Sequence, residues 1–280
     1  MLEELLNLAR SVGWGAADIL QAYYHSDQDL DIQKKESDPV TAADLAVNQY
    51  ILERLQEELG TQEFGYLSEE TYKPDTPPDE HPYVWIIDPL DGTRDFIKRT
   101  GEFAVHIALV AANRPCLAVV VWPEAQKLYY AIQGGGAFVE GRELSPRALR
   151  VSRRDRLADL RFVASRSHRN QQLNQLLQRL PQQSQQFIGS VGCKVALIVE
   201  QQAEVYLSLS GSSAPKDWDL AAPELILTEA GGQLTHFDRS PLQYNQADVN
   251  QWGGFLASNG ACHEQLCRLI EEMLAELTES

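Results

Sequence analysis

The chain predicts a mixed α+β / α/β protein, in which a half with a mostly antiparallel sheet precedes a half of alternating strands and helices. Three observations carry that expectation. Residues 1 to 60 hold two amphipathic helical patterns, residues 64 to 132 hold five strand-like runs, and after about Leu157 short strands alternate with helices. Residues 1–156 are therefore expected to form an N-terminal α+β half, and residues 157–280 a C-terminal α/β half that supplies substrate-binding elements.

Taken in order, Leu2, Leu5, Leu6, Ala9, Val12, Ala16 and Ile19 recur at three-four spacing, which predicts a helix from Leu2 to Leu20. The polar segment Asp27 to Asp38 is expected to be a loop or a short strand pair. A second helix begins at Thr41, places Leu45, Leu52, Leu55 and Leu59 on one face, and stops at Gly60. Strands follow at Phe64–Leu67, Tyr83–Ile87, Phe103–Val110, Leu117–Trp122 and Leu128–Ile132, the last ending at three glycines. The second half reads as strand Phe162–Ala164, helices Gln171–Leu180 and Val191–Glu200, and strand Val205–Leu209. A helix near Leu220–Ala230, a strand at Phe255–Ala257 and a last helix from His263 complete it.

Composition bounds the function. With 280 residues and 44% apolar content the chain can bury a large core. A net charge of −16 argues against general nucleic-acid binding, which requires a basic surface. Met1 to Leu20 lacks the basic start and unbroken apolar run of a signal peptide, and no segment is long enough to span a membrane. Cys116, Cys193, Cys262 and Cys267 have no zinc spacing, which suits free thiols in a cytoplasmic protein. Cys262 and Cys267 fall on different faces of a helix.

The chemistry concentrates in Trp85-Ile86-Ile87-Asp88-Pro89-Leu90-Asp91-Gly92-Thr93, where an apolar strand runs into two carboxylates. Asp88 and Asp91 lie across a turn fixed at Pro89, with the Leu90 carbonyl between them, an oxygen set that suits a hard cation such as Mg²⁺. Gly92 permits close backbone approach, and a helix starting near Thr93 would present N–H groups to an anion. The same residues suit an ordinary turn. Two flanking buried strands and further carboxylates favour a site. Glu69 follows a strand, and Asp219 stands at a helix start with Pro223 in or near the first turn. Each also has a plain role open to it: Asp219 complementing a helix dipole, Glu69 a solvated charge, Asp44 closing a capping box with Thr41.

Glu69, the run Asp88 to Thr93 and the late Trp218-Asp219-Leu220-Ala221-Ala222 together resemble the inositol monophosphatase superfamily of Mg²⁺-dependent, lithium-sensitive phosphatases. The resemblance extends from Val40 to Gly232. It implies a layered αβαβα sandwich and a site of two or three Mg²⁺ ions held by Glu69, Asp88, the carbonyl of Leu90, Asp91 and Asp219. It also implies that Thr93, assisted by Asp44, orients the attacking water. Arg94 to Phe103 and Ser165-Arg166-Ser167-His168 resemble the 3′(2′),5′-bisphosphate nucleotidases within that superfamily. By that resemblance Gly92, Thr93, Ser165, His168, Ser190 and Lys194 contact a nucleotide bisphosphate, 3′-phosphoadenosine 5′-phosphate or its sulfated form. The product would be AMP, made by a monomer or homodimer. Action on inositol phosphate or fructose bisphosphate is the alternative.

Overall fold

The structure, a computed structural model, describes residues 1–26, 30–35 and 38–279. Helix α1 (Leu2–Tyr24) buries Leu5, Leu6, Ala9, Val12, Ala16 and Leu20, the stripe its spacing predicts. Strands β1 (Gln33–Lys35) and β2 (Asp38–Val40) pair antiparallel, so the Asp27–Asp38 segment contains one arm of a strand pair and the start of the other; residues 27–29, 36 and 37 lie outside the described residues. Helix α2 (Ala42–Leu59) is capped by Thr41 and ends at Gly60 with φ 69°. Its buried face runs through Ala43, Val47, Ile51 and Leu55, while Leu45 is exposed. The expected leucine stripe is therefore rotated, because Val47 and Ile51 fit the sheet better than a face defined by leucines alone.

Seven strands form the first sheet. They are β3 (Phe64–Ser68), β4 (Tyr83–Asp91), β5 (Ala104–Ala111), β6 (Arg114–Trp122), β7 (Lys127–Ile132), β8 (Gly136–Gly141) and β9 (Leu144–Ala148), with the short helix α3 (Thr93–Ile97) between β4 and β5. They lie side by side in chain order; only β3 and β4 are parallel. The second sheet contains β10 (Arg161–Ser165), β11 (Ser184–Ile188), β12 (Val205–Leu209), β13 (Gln233–His236) and β14 (Gly254–Ser258) in the order β11-β10-β12-β14-β13. Its helices are α4 (Gln171–Arg179), α5 (Val191–Val199), α6 (Asp217–Glu229) and α7 (His263–Glu279).

Burial explains the layering. One apolar cluster joins α1 and α2 to Trp85, Ile87, Ile107 and Val119 on one face of the first sheet. A second joins the opposite face, through Val84, Ile86 and Ala118, to α5, α6 and the inner face of the second sheet. A third packs Phe162, Leu207 and Leu256 against Leu173, Leu176, Leu266 and Ile270 of α4 and α7. The result is the αβαβα sandwich. Helix α5 is buried at every position, which its apolar sequence requires of a helix lying between two sheets.

Four strands escape sequence reading: β8, β9, β11 and β13. The outer β9 is exposed along its whole length, and β11 (Ser184-Gln185-Gln186-Phe187-Ile188) is a polar edge strand without buried positions. Helix α6 begins at Asp217, so Pro223 stands at its seventh residue rather than in the first turn. There it cannot supply the N–H that a regular helix would offer to the carbonyl of residue 219. All four cysteines are free and buried.

His263, 3% exposed at the start of α7, is held between Ser258 Oγ at 2.8 Å from Nδ1 and Thr235 Oγ1 at 2.9 Å from Nε2. Burial lowers its pKa to about 4. A depressed histidine favours the folded state above the unfolded pKa, and that contribution disappears as pH falls from about 6.5 to 4, a loss of roughly 3 kcal/mol. Urea unfolding of the native protein and His263→Gln at successive pH values is expected to show the native protein losing more stability over this window.

Candidate active site

Parallel pairing of β3 with β4 brings their C-terminal ends to one edge. Ser68 stands opposite Ile87, and the Glu69 N–H donates to the Ile87 carbonyl at 3.2 Å, which sets Glu69 beside Asp88. The register of β4 on β5 then slips between Asp88 and Asp91. Pro89 falls inside that slip, where a residue without an N–H is tolerated. Within the turn Asp88 Oδ1 accepts the Leu90 N–H at 3.0 Å. Gly92 has φ 94°, and a Cβ there would lie 2.9 Å from the Glu102 carbonyl oxygen, so glycine is required both by conformation and by space.

Helix α3 starts at Thr93, as the sequence suggested. The Thr93 hydroxyl lies 3.1 Å from Asp44 Oδ1 and 3.0 Å from the Leu90 carbonyl. Asp44 also closes the capping box of α2: its Oδ2 accepts the Thr41 N–H at 2.8 Å and the Thr41 hydroxyl at 2.5 Å. One carboxylate thus caps α2 through one oxygen and meets the Thr93 hydroxyl through the other. Asp219, the third residue of α6, accepts the Lys216 N–H at 2.6 Å and also satisfies its own helix start.

Carboxylate oxygens of Asp88, Asp91 and Asp219 lie within 4.8 Å of one another, although Asp219 is far from the other two in sequence. Burial, and then repulsion from Glu69, Asp91 and Asp219, pushes the Asp88 carboxyl well above its ordinary range. Glu69 is raised for the same reasons, burial first and Asp219 next. Burial raises Asp44 to about 6, against the hydrogen bonds from Thr41 and Thr93. Carboxylates gathered this closely repel one another, and a cation among them relieves that repulsion. The donors are all oxygens with no imidazole or thiolate among the cluster, a set that fits a hard divalent cation.

A cavity of about 630 Å³ opens over this cluster. Glu69, Asp88, Leu90, Asp91, Gly92, Thr93, Ser165, His168, Ser190, Lys194 and Asp219 all line it; Asp44 stands behind Thr93. The C-terminal residues occupy different depths. Ser190 is buried, caps α5 through the Cys193 N–H, and donates its hydroxyl to Asp91 Oδ2 at 2.5 Å. The Lys194 ammonium, 2% exposed, donates to the Gly189 carbonyl and to the Ser190 carbonyl at 2.9 Å, and faces the Tyr206 ring at 4.9 Å. Burial lowers its pKa, while Asp91 acts in the opposite direction. Ser165 Oγ lies 3.5 Å from the Tyr206 hydroxyl, and His168 is exposed at the rim.

Sequence reading did not find how its two substrate motifs meet. The Arg166 guanidinium reaches Asp95 Oδ1 at 2.5 Å and both oxygens of Glu102, at 2.7 and 2.8 Å. Glu102 in turn accepts the Gly189 N–H at 2.6 Å. Asp95 and Glu102 belong to the run after Thr93 and Arg166 to the run after Ser165, so one ion network joins both motifs to the turn that precedes Ser190. The available signal was two acids and one arginine in motifs already singled out.

A layered α/β sandwich with a buried oxygen-ligand cluster beneath one cavity defines a protein equipped for cation-assisted chemistry on an anionic substrate. The chain belongs to the inositol monophosphatase family, whose model matches residues 1–275. It is 36% identical over 245 residues to the 3′(2′),5′-bisphosphate nucleotidase CysQ of Salmonella typhimurium strain LT2, covering 87% of this chain and 94% of the relative. The CysQ of Escherichia coli strain K12 is 34% identical over 260 residues, covering 92% and 99%. Among solved structures, an inositol monophosphatase (IMPase) of Thermotoga maritima superposes with a TM-score of 0.81 at 22% identity, over 98% and 99% of the two chains. CysQ from Bacteroides thetaiotaomicron superposes with a TM-score of 0.77 at 27% identity, over 91% and 97%. No helix among the described residues is long and apolar enough to cross a membrane.

Proposed function

We propose that the protein is a Mg²⁺-dependent 3′(2′),5′-bisphosphate nucleotidase that removes the 3′-phosphate of 3′-phosphoadenosine 5′-phosphate, giving AMP and phosphate in the cytoplasm. The observation that carries the chemistry is the convergence of Asp88, Asp91 and Asp219 within 4.8 Å beneath the cavity that Ser165, His168 and Lys194 line. The relatives named above supply the substrate class.

Glu69, Asp88, the Leu90 carbonyl, Asp91 and Asp219 would hold two or three Mg²⁺ ions, which supply charge neutralisation at the entering and leaving oxygens and ease deprotonation of water. The chain's own part is positional and protonic. Thr93 donates a hydrogen bond from its hydroxyl to Asp44, which leaves its oxygen free to accept one from the attacking water, so that a proton taken from the water is matched by the Thr93 proton passing to Asp44. Asp44, with a pKa raised to about 6, is poised as the base behind it, in the range where a general base works near neutral pH. Gly92 lets the backbone lie close beside the substrate phosphate. Ser190 fixes the Asp91 carboxylate, and Lys194 gives the cavity floor positive charge for the second phosphate, with Ser165 and His168 as hydrogen-bonding partners at successive depths.

Identifying the products tests the proposal. Chromatography of the reaction on 3′-phosphoadenosine 5′-phosphate should yield AMP and one equivalent of phosphate; adenosine 3′-phosphate as product would place the wrong ester over the cluster. Thr93→Val and Asp44→Asn are expected to lower kcat by about 10²–10⁴-fold with KM little changed, since both act on proton transfer. A comparable fall in KM-controlled binding alone would remove them from that step.

A further inference from the structure

His106 has no part in the chemistry above, yet it touches two elements of the cation site. It lies within β5, fully buried, on the face that meets the inner helix layer. Its Nδ1 is 3.2 Å from the carbonyl oxygen of Trp218, the residue before Asp219. Its Nε2 is 3.2 Å from Asp91 Oδ2, off the hydrogen-bond direction, and makes no hydrogen bond. The ring therefore spans from the strand-end carboxylate to the helix start that carries Asp219.

The ring packs directly against the Gly192 backbone. A Cβ on Gly192 would come within 2.4 Å of Nε2, and the Gly192 N–H itself donates to Asp91 Oδ2 at 3.1 Å. Ser190 donates to that same oxygen. Oδ2 is thus enclosed by Ser190, Gly192 and the His106 ring, while Oδ1 of Asp91 accepts from no group among the described residues. A carboxylate fixed on one side and open on the other presents a single oxygen in a defined direction. A carbonyl oxygen can only accept, so the contact with Trp218 places a proton on Nδ1.

We propose that His106 is a positioning residue for the cation site, a strut that sets the spacing between the Asp91 carboxylate and the Asp219 helix start. The proposal rests on reading Asp88, Asp91 and Asp219 as cation ligands. Groups that orient metal ligands without touching the metal typically govern affinity by 10–100-fold. Among the described residues helix α6 is held to β5 by the one hydrogen bond from His106 to the Trp218 carbonyl, so its loss lets the two carboxylates drift apart where packing alone is not directional.

Calorimetric titration of Mg²⁺ into the protein without substrate tests this, because it reads affinity rather than turnover. His106→Ala is expected to weaken Mg²⁺ binding by about 10–100-fold. His106→Asn, whose amide can still donate to the Trp218 carbonyl, should restore most of that loss. The Mg²⁺ concentration for half-maximal turnover should move in parallel, with kcat at saturating Mg²⁺ changing much less. Should His106→Ala fail to fold, His106→Leu and His106→Asn give the same contrast with side-chain volume retained. Unchanged Mg²⁺ affinity in folded Leu or Ala variants, with only a lower Tm, would show a purely structural histidine and overturn the proposal. Absence of Mg²⁺ binding in the native protein would overturn the cation-site reading and the strut with it, and is distinguished by appearing before any substitution.

Discussion

Asp88→Asn is expected to reduce Mg²⁺-dependent turnover by roughly 10³-fold or more while making the metal-free protein more stable. The two effects have one cause. Asp88 is buried at the centre of the acidic cluster, and Glu69, Asp91 and Asp219 all oppose its ionisation. Asparagine keeps the oxygen that accepts the Leu90 N–H, so the turn survives, but it removes the charge that a cation would share. Thermal unfolding in EDTA should give the variant the higher Tm, and saturating Mg²⁺ should raise the native Tm far more than the variant's. The pH dependence follows with a definite sign. Glu69 and Asp88 have folded pKa values above their unfolded ones, so the metal-free protein is favoured when they are protonated and loses stability as pH rises from the ordinary carboxylate range towards the raised folded values. Mg²⁺ should flatten that slope. A native Tm in EDTA that rises over the same range would contradict the raised values.

The second large effect concerns stability. Arg166→Ala leaves Asp95, 5% exposed at its side chain, and Glu102, 17% exposed, facing each other without their cation. Deleting one partner of a fully buried pair typically costs about 3–5 kcal/mol, and because the Arg166 side chain is 33% exposed the loss here is expected to fall below that range. Arg166 also donates to the Phe187 carbonyl at 3.0 Å, so the edge strand β11 loses a tie as well. Arg166→Lys is expected to recover only part of the loss, since an ammonium cannot bridge Asp95 and both oxygens of Glu102 at once. Denaturant midpoints for the three proteins decide the matter: near-equal midpoints for native and Ala forms would make this a screened surface pair. Activity should fall with Arg166→Ala even where the protein remains folded, through the Gly189–Ser190 turn and its hold on Asp91.

How much of this was written in the sequence depends on chain distance. Asp88, Asp91 and Thr93 were legible because strand, turn and helix start follow one another within nine residues of chain, Trp85 to Thr93. Asp44 and Asp219 were legible as helix starts, since Thr41 and the apolar run after Asp219 mark them, although their convergence on Asp88 came only from the family resemblance. Ser190 illustrates what was not. By resemblance it reads only as a substrate contact, and the packing of α5 against β5 sets its hydroxyl 2.5 Å from Asp91. His106 reads as a lone polar residue within an apolar strand, and no local pattern reveals that α6 passes over it. The missed strands follow the same rule: β9 and β11 are held by pairing along an edge, not by burial of their own side chains, so they leave little hydrophobic periodicity to detect.

Substrate choice and metal dependence meet in one measurement, the initial rate of phosphate release from 3′-phosphoadenosine 5′-phosphate and from inositol 1-phosphate, each with Mg²⁺ and with EDTA. Release from the nucleotide is expected to require Mg²⁺, with kcat/KM well above that for inositol 1-phosphate. Mg²⁺-dependent release that favours inositol 1-phosphate would leave the cluster its chemistry and refute the substrate assignment, and nucleotide hydrolysis undiminished in EDTA would contradict the central role given to Asp88, Asp91 and Asp219.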